Sequence, residues 1–504
     1  MNSNVLQIRP EDNVAIALAS LTKGDVIEVG KDRIEILNDI PQGHKVALRD
    51  VPVGSQIIRY GYPIGRATID IRRGQWVHSH NLGTGLTERL EYSFQPDLSG
   101  WKGVHDGAVK HMFQGYRRDD GRVGIRNEIW LINTVGCINK QTEKLAALAR
   151  ERFRSEIEPG KIDGIFAFSH PYGCSQLGED LVNTQKILAG LVNHPHAAGV
   201  LVLGLGCENN QMAEFQKFIG TQNPERIKFL NFQDVSDEIE TGLELIAELV
   251  RYASGLQPVT LTLSDLTIAL KCGGSDGFSG ITANPLVGRI SDLIIGYGGT
   301  SILSEVPEMF GAETILMNRA KDRETFEGIV RLINGFKEYF VRNGQVVYEN
   351  PSPGNKAGGI TTLEEKSLGC TQKGGTSPVV DVLHYGDRVK VKGLNLLEGP
   401  GNDIVSTTAL TAAGANLILF TSGRGTPLGA PVPTLKIATN TPIFQKKPGW
   451  FDFDAGRLLT GAGLDDLAEE LLGQIVEVAG KKRPSRNEIN DYRDIAIFKN
   501  GVTL

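Results

Sequence analysis

Five cysteines punctuate this chain, and each adjoins a glycine: Cys137 in TVGC, Cys174 in YGCS, Cys207 in LGCEN, Cys272 in KCGG and Cys370 in LGCTQ. Cys137, Cys207 and Cys272 directly follow runs that read as strands, and Cys174 comes a few residues after another. Open α/β sheets bind ligands outside the carboxyl ends of their strands. Glycine at such places lets the backbone approach a ligand closely. Thiolates suit iron or zinc. The spacings are too long for a CxxC motif, so a metal site here would be assembled in three dimensions. The plainer alternative is that each cysteine is a small buried hydrophobe.

A second group of candidates lies in VHSHN, with His78, His80 and Asn81. Side chains at i and i+2 of a strand share a face, so both imidazoles could reach one metal or one substrate. An exposed polar edge is the alternative. His44 either joins them or ends a turn. His170, four residues before Cys174, is a candidate ligand or base, whereas His194 and His196 read as a surface loop. Glycine-rich polar loops form the third group. CGGSDGFSGITANP offers Ser275, Asp276, Ser279, Thr282 and Asn284, whose hydroxyls and neighbouring N–H groups suit a carboxylate or phosphate. NPSPGNKAGG carries Asn355 and Lys356, and Arg424 in FTSGRGTP could clamp a carboxylate bidentately. Glu305 and Glu308 in SEVPEMFG follow a strand, with metal binding, acid/base work and helix capping all open.

The elements needed to position these residues are legible. Short β-branched runs (VIEVG, RIEIL, KVALRD, QIIRYG, RATIDI, WVHSH), separated by Pro and Gly turns, predict a small all-β unit over 1–96. Residues 97–122 lack periodicity and read as a linker, with Trp101 and Phe113 docking it. From 123 the pattern becomes α/β. EIWLINTVG, GIFAFSH, AGVLVLGLG and DLTIALKCGG are continuous apolar runs, as buried parallel strands should be. TSILSEV, PVVDVLHYG and NLILFTSG continue the series. One helix is expected over DVSDEIETGLELIAELVRYASG, with Asp234 as N-cap and Ile239, Leu243, Ile246 and Val250 on its buried face. A break at ASGLQPVTLTLSD divides the α/β part into domains over 123–258 and 259–504.

Composition narrows the function. The chain has 504 residues, 40% of them hydrophobic, enough for several cores. Its 53 basic and 59 acidic side chains leave a net charge of −6, which speaks against a nucleic-acid binder but allows a local basic pocket. Few cysteines in a long chain suit a reducing cytoplasm. MNSNVLQIRPEDN has no apolar targeting run, and no segment has the roughly 18 apolar residues of a membrane span. A nicotinamide-dependent oxidoreductase would need GxGxxG after the first α/β strand, and TVGCINKQTE does not supply it.

The strings GYRRDDGRVGIRNE, SHPYGCSQLG, LGLGCENNQ, CGGSDGFSGITANP, PSPGNKAGGITTLEEKSLGCTQKGG, FTSGRGTP and IFKNGVTL together resemble the altronate/galactarate dehydratase family along the whole chain. Cys370 and the ending GVTL resemble its altronate branch. The resemblance implies an N-terminal β-clip domain of the SAF type, then α/β regions, the last Rossmann-like without a dinucleotide role. It implies a cytoplasmic, homodimeric hydro-lyase of hexuronate breakdown, turning D-altronate into 2-dehydro-3-deoxy-D-gluconate and water, with galactarate as the alternative substrate. Fe(II), or Mn(II), is the implied cofactor. In related sulfolactate lyases the SAF part is a separate subunit, which implies a site between domains. On this reading iron sits at Cys137, Cys174, Cys207 and Cys272. The alternative is an iron–sulfur cluster with one open iron. His78, His80, His170 or Lys356 serves as base. Asn81, Ser275, Asp276, Asn284, Asn355 and Arg424 hold the substrate. The non-enzyme alternative is a sugar-acid binding protein, for which the cysteines would be indifferent.

Overall fold

Uninterrupted apolar runs bury both faces of a strand, so they belong at the centre of a parallel sheet. In the computed structural model, which describes residues 4–86, 91–103, 111–221 and 223–504, the runs after residue 123 build two such sheets. The smaller contains Gly164–Phe168, Glu128–Asn133, Ala197–Gly204 and Ile227–Asn231, in that spatial order and all parallel. The larger has seven parallel strands, ordered Val379–Leu383, Leu394–Leu397, Thr300–Leu303, Thr267–Cys272, Leu417–Ser422, Thr434–Ala438 and Phe453–Asp454.

In each sheet the first strand in sequence lies inside, with later strands added on both sides of it. Such a reversal leaves a crevice at the carboxyl ends of the strands flanking it. The small sheet has its crevice between Glu128–Asn133 and Ala197–Gly204, the large sheet between Thr267–Cys272 and Leu417–Ser422. One apolar core spans both sheets, from Trp130, Ile132 and Val202 to Ala269, Ile418 and Phe420. Helices Gly178–Val192 and Asp403–Ala412 meet within it so closely that a Cβ on Gly190 would lie 2.8 Å from the Ala412 Cβ.

Between residues 4 and 86 the regular elements are short antiparallel strands. This unit docks on the large α/β body through buried charge. Lys45 Nζ donates to both Glu365 carboxylate oxygens at 2.9 Å and to the Gly359 carbonyl at 2.7 Å. Arg59 also pairs with Glu365 and donates to the Gly277 carbonyl at 2.8 Å. Glycine is required at the seam: a Cβ on Gly277 would stand 2.0 Å from the Gly43 carbonyl oxygen.

Several expectations are revised. Met112–Arg117, inside the stretch read as a linker, is a strand between Val123–Gly124 and Val259–Thr262. Phe113 is in the core, and residues 104–110 of that stretch lie outside the described residues. The helix expected over DVSDEIETGLELIAELVRYASG runs Glu238–Gly255, capped by Asp237 rather than Asp234, because Asp234 ends a preceding 3-10 turn. His194 and His196 are fully buried, not on a surface loop. His194 stacks on Trp130 and meets the Ala415 carbonyl at 3.1 Å, and burial pushes both imidazoles well below their usual pKa. No helix of the described residues is long and apolar enough to cross a membrane.

Candidate active site

The large sheet brings a dense set of ionisable groups to its crevice. Strand Thr267–Cys272 ends in Lys271 and Cys272. After the next strand, Glu305 adopts a left-handed backbone (φ 69°), a conformation that costs a non-glycine residue about 1–3 kcal/mol. It leads into the turn Val306–Met309 carrying Glu308. Helix Leu363–Thr371, capped by Thr362, presents Lys366 and Cys370 one turn apart on one face, and the following turn supplies Lys373. All seven side chains are buried.

Their contacts are short and mutual. Cys272 Sγ lies 3.4 Å from Cys370 Sγ and 3.2 Å from Glu308 Oε2, and Cys370 Sγ is 3.1 Å from the same oxygen. Lys373 Nζ donates to Cys272 Sγ and to Glu305 Oε2, both at 2.8 Å. Lys271 pairs with Glu305 and with Asp403 Oδ1, the latter at 2.9 Å. Lys366 Nζ reaches Glu308 Oε1 at 2.8 Å, Asn350 Oδ1 at 3.0 Å and Asn355 Oδ1 at 3.2 Å.

Three ammonium groups therefore face three carboxylates, and the cluster is neutral with both thiols protonated. Burial opposes the charge on Lys271 and Lys366, but the carboxylates beside them raise both pKa values well above the ordinary lysine range. Burial also disfavours an ionised Glu308, yet Lys366, Lys271 and Lys373 hold its pKa far below the usual carboxylate value. The hydrogen bond with Cys272 and burial push the Cys370 thiol up. Two thiolates with a divalent cation restore the same neutrality. Among the described residues, Cys272, Glu308 and Cys370 are the group whose three donor atoms all lie within 4.8 Å of one another. Tetrahedral coordination with metal–sulfur bonds of about 2.3 Å places sulfurs about 3.8 Å apart, close to the spacing here. Two sulfurs and a carboxylate could thus hold one thiophilic ion.

The cluster opens on a cavity of about 540 Å³, walled by Cys272, Glu308, Asn355, Lys366 and Asp403 together with Gly273, Gly274, Phe336 and Phe498. Asp403 begins helix Asp403–Ala412, and its side chain is 33% exposed.

The structure distributes the residues expected from sequence unevenly. Cys272 and Asn355 belong to this site, and Asn355 is fixed by donating to the Ser275 carbonyl at 2.9 Å. Asp276 is consumed by Ser279, Thr439 and Asn440, and Asn284 by Gly369 and Thr421, so both brace the loop. Arg424 is exposed, its amide bonded to the Gly274 carbonyl. Lys356 is half-buried on the short helix Pro353–Ala357 and is not among the cavity residues.

VHSHN is not a continuous strand. The strand ends at Val77, and Asn81 closes a turn by accepting from the His78 amide and donating to the Trp76 carbonyl. His78 stacks on Trp76 and touches His44, and His80 reaches Trp76 from the exposed side. Burial, with help from Lys45, lowers the His78 pKa to about 4. His170 is buried with both ring nitrogens engaged, by the Asn133 carbonyl and the Tyr172 amide, and burial lowers its pKa to about 4. Cys137, Cys174 and Cys207 are exposed, each beyond a strand of the small sheet, and are not in the close donor group that Cys272 forms with Glu308 and Cys370. Sequence reasoning set Cys370 aside and did not single out Lys271, Lys366 or Lys373. A usable signal existed for Lys271: a lysine inside an apolar strand run must be paired.

Three family models match along the chain: an altronate/galactarate dehydratase SAF domain at residues 3–85, a D-galactarate dehydratase/altronate hydrolase second domain at 115–254, and a D-galactarate/altronate dehydratase C-terminal domain at 263–503. Altronate dehydratase of Escherichia coli (strain K12) is 51% identical over 500 residues, covering 99% of both chains. Altronate dehydratase of Bacillus subtilis (strain 168) is 50% identical over 505 residues, again covering 99% of both. Galactarate dehydratase (L-threo-forming) of Escherichia coli (strain K12) is 31% identical over 523 residues, covering 98% of this chain and 96% of the relative.

Proposed function

The chain belongs to the altronate/galactarate dehydratase family, and from that premise we propose that it dehydrates D-altronate to 2-dehydro-3-deoxy-D-gluconate in the cavity before Cys272. The observation that carries the reading is the buried Cys272–Glu308–Cys370 set, opening on a cavity that carries both an ammonium and a partly exposed carboxylate. The higher identity to the altronate enzymes than to the galactarate enzyme favours altronate as substrate.

Dehydration removes the proton on C2 and the hydroxyl on C3. The C2 proton, next to a carboxylate, is barely acidic, so the enediolate formed on its removal must be stabilised electrostatically. Lys366 sits where it can do this. Glu308 keeps it charged and Asn350 and Asn355 aim it, so it serves as an electrostatic partner for the substrate carboxylate rather than as a base. Asp403 takes the C2 proton: it lines the cavity, is partly exposed and is oriented by Lys271. The C3 hydroxyl receives that proton from Asp403 and leaves as water, and the resulting enol ketonises. Cys272, Glu308 and Cys370 would hold Fe(II), which would supply Lewis acidity at the mouth of the cavity. Mn(II) suits two sulfur donors less well.

Further readings accompany this one. The N-terminal unit is a β-clip, the seven-stranded region a Rossmann-like variant, and the protein a cytoplasmic homodimer of hexuronate catabolism. The test is anaerobic assay of the iron-loaded protein with D-altronate and galactarate, following the 2-keto-3-deoxy product. Turnover of D-altronate is expected, and no turnover of either acid would sink the reading.

A further inference from the structure

The small sheet has its own crevice, and three cysteines surround it. Cys137 follows Glu128–Asn133 and Cys207 follows Ala197–Gly204, the two strands flanking the crevice, while Cys174 lies beyond Gly164–Phe168 next door. All three thiols are exposed. Their loops are tied to one another by backbone. The Gly136 amide donates to the Tyr172 carbonyl at 2.9 Å, and the Asn210 amide to the Gly173 carbonyl at 3.0 Å. The Ser175 amide donates to Asn209 Oδ1 at 2.7 Å, which holds Ser175 at φ 56°. Contact is tight enough that a Cβ on Gly173 would stand 1.9 Å from the Thr134 carbonyl oxygen. Beside these loops, two buried polar atoms, Gln176 Nε2 and Asn210 Oδ1, have no partner among the described residues.

A single ion would draw sulfurs to about 3.8 Å from one another. The three thiols are not among the groups whose donors lie within 4.8 Å, and loops braced in this way resist closing further. A larger inorganic core, with each thiolate on a different iron, accepts sulfurs set farther apart than a single ion does. Three protein thiolates leave one iron of a four-iron core free for a non-protein ligand such as a hydroxy acid or water.

From this geometry we infer that Cys137, Cys174 and Cys207 bind a [4Fe–4S] cluster with one open iron, at a site separate from the buried Cys272–Glu308–Cys370 set. The assignment does not depend on which acid is the substrate. The test is anaerobic reconstitution of the full chain with iron and sulfide. Acid-labile sulfide, the EPR signal of the reduced protein and alkylation of the thiols are then measured. The expected result is about four sulfides per chain, protection of the three thiols from alkylation, and loss of sulfide and signal in Cys137→Ser, Cys174→Ser and Cys207→Ser. Cys370→Ser should retain both. The inference is overturned by iron without sulfide, by undiminished alkylation in the reconstituted wild type, or by sulfide that depends on Cys370 instead. Alkylation protection is read on the unaltered chain, so it stands even where a serine variant fails to fold. None of these readouts uses altronate turnover, so they fail or succeed apart from the proposed dehydration.

Discussion

Two crevices of like origin hold the chain's cysteines in opposite circumstances. At the large sheet, Cys272 and Cys370 are buried, touch each other and are enclosed by paired lysines and glutamates. At the small sheet, Cys137, Cys174 and Cys207 face solvent on loops held by backbone hydrogen bonds. The local sequence, glycine beside cysteine at a strand end, is common to both. The difference comes from what packs above. Helix Leu363–Thr371 and the turn carrying Glu308 roof the large crevice and bring charge into it. The lesson is that the strand end sets where a thiol points, while distant segments set whether it meets a carboxylate or water.

The sharpest way to probe that contrast is to disable the large crevice alone. Asp403→Asn should lower kcat by about 10²–10⁴-fold, the span associated with a general base, and Lys366→Met by about 10²–10³-fold. Steady-state kinetics with D-altronate checks both, and near-normal rates would move the chemistry toward the exposed cysteines. Next in size is the seam with the N-terminal unit. Glu365→Ala strands the buried Lys45 and Arg59, a loss of about 3–5 kcal/mol, read as a lower unfolding midpoint in urea.

Acid offers a gentler version of the same test. Burial alone would raise the Glu365 pKa, but Lys45 and Arg59 hold it at about 2. An unfolded glutamate titrates near about 4.3. The stability Glu365 contributes is therefore complete above that value and is lost as pH falls toward 2, visible as a falling thermal midpoint over that window. The smallest effect belongs to the small crevice. In the metal-free chain, Cys137→Ser, Cys174→Ser and Cys207→Ser should each shift stability by no more than about 0.5 kcal/mol, as exposed substitutions do. A larger loss in calorimetry would mean these thiols are packed, not presented.

Much of the scaffold was legible from local pattern. The apolar runs before Cys137, Cys207 and Cys272 are the buried strands they resemble, because burial on both faces leaves a continuous signature. The site was half legible. Cys272 and Asn355 were singled out, and Glu308 was left open between metal binding, acid/base work and capping. What escaped was pairing across the chain: Lys366 and Cys370 reach Cys272 and Glu308 from helix Leu363–Thr371, far along the sequence. No periodicity reports which lysine will neutralise which glutamate. The strand expected at His78 and His80 failed for a simpler reason. Alternation suggested a strand, but the Asn81 side chain satisfies the His78 amide locally and turns the chain.

The way the N-terminal unit is fastened also bears on assembly. Its grip on the body combines the Glu365 carboxylate shared by two cations, the Glu364 carboxylate accepting from Thr84 and the Gly85 amide, a few carbonyls, and an apolar cluster in which Ile64 and Val77 meet Ala312 and Leu368, all contributed by folded segments on either side. Covalent continuity adds nothing to that grip beyond raising the local concentration of one piece near the other. Residues 1–86 and 91–504 produced as separate polypeptides are thus expected to find each other and copurify, and Glu365→Ala is expected to weaken that reunion.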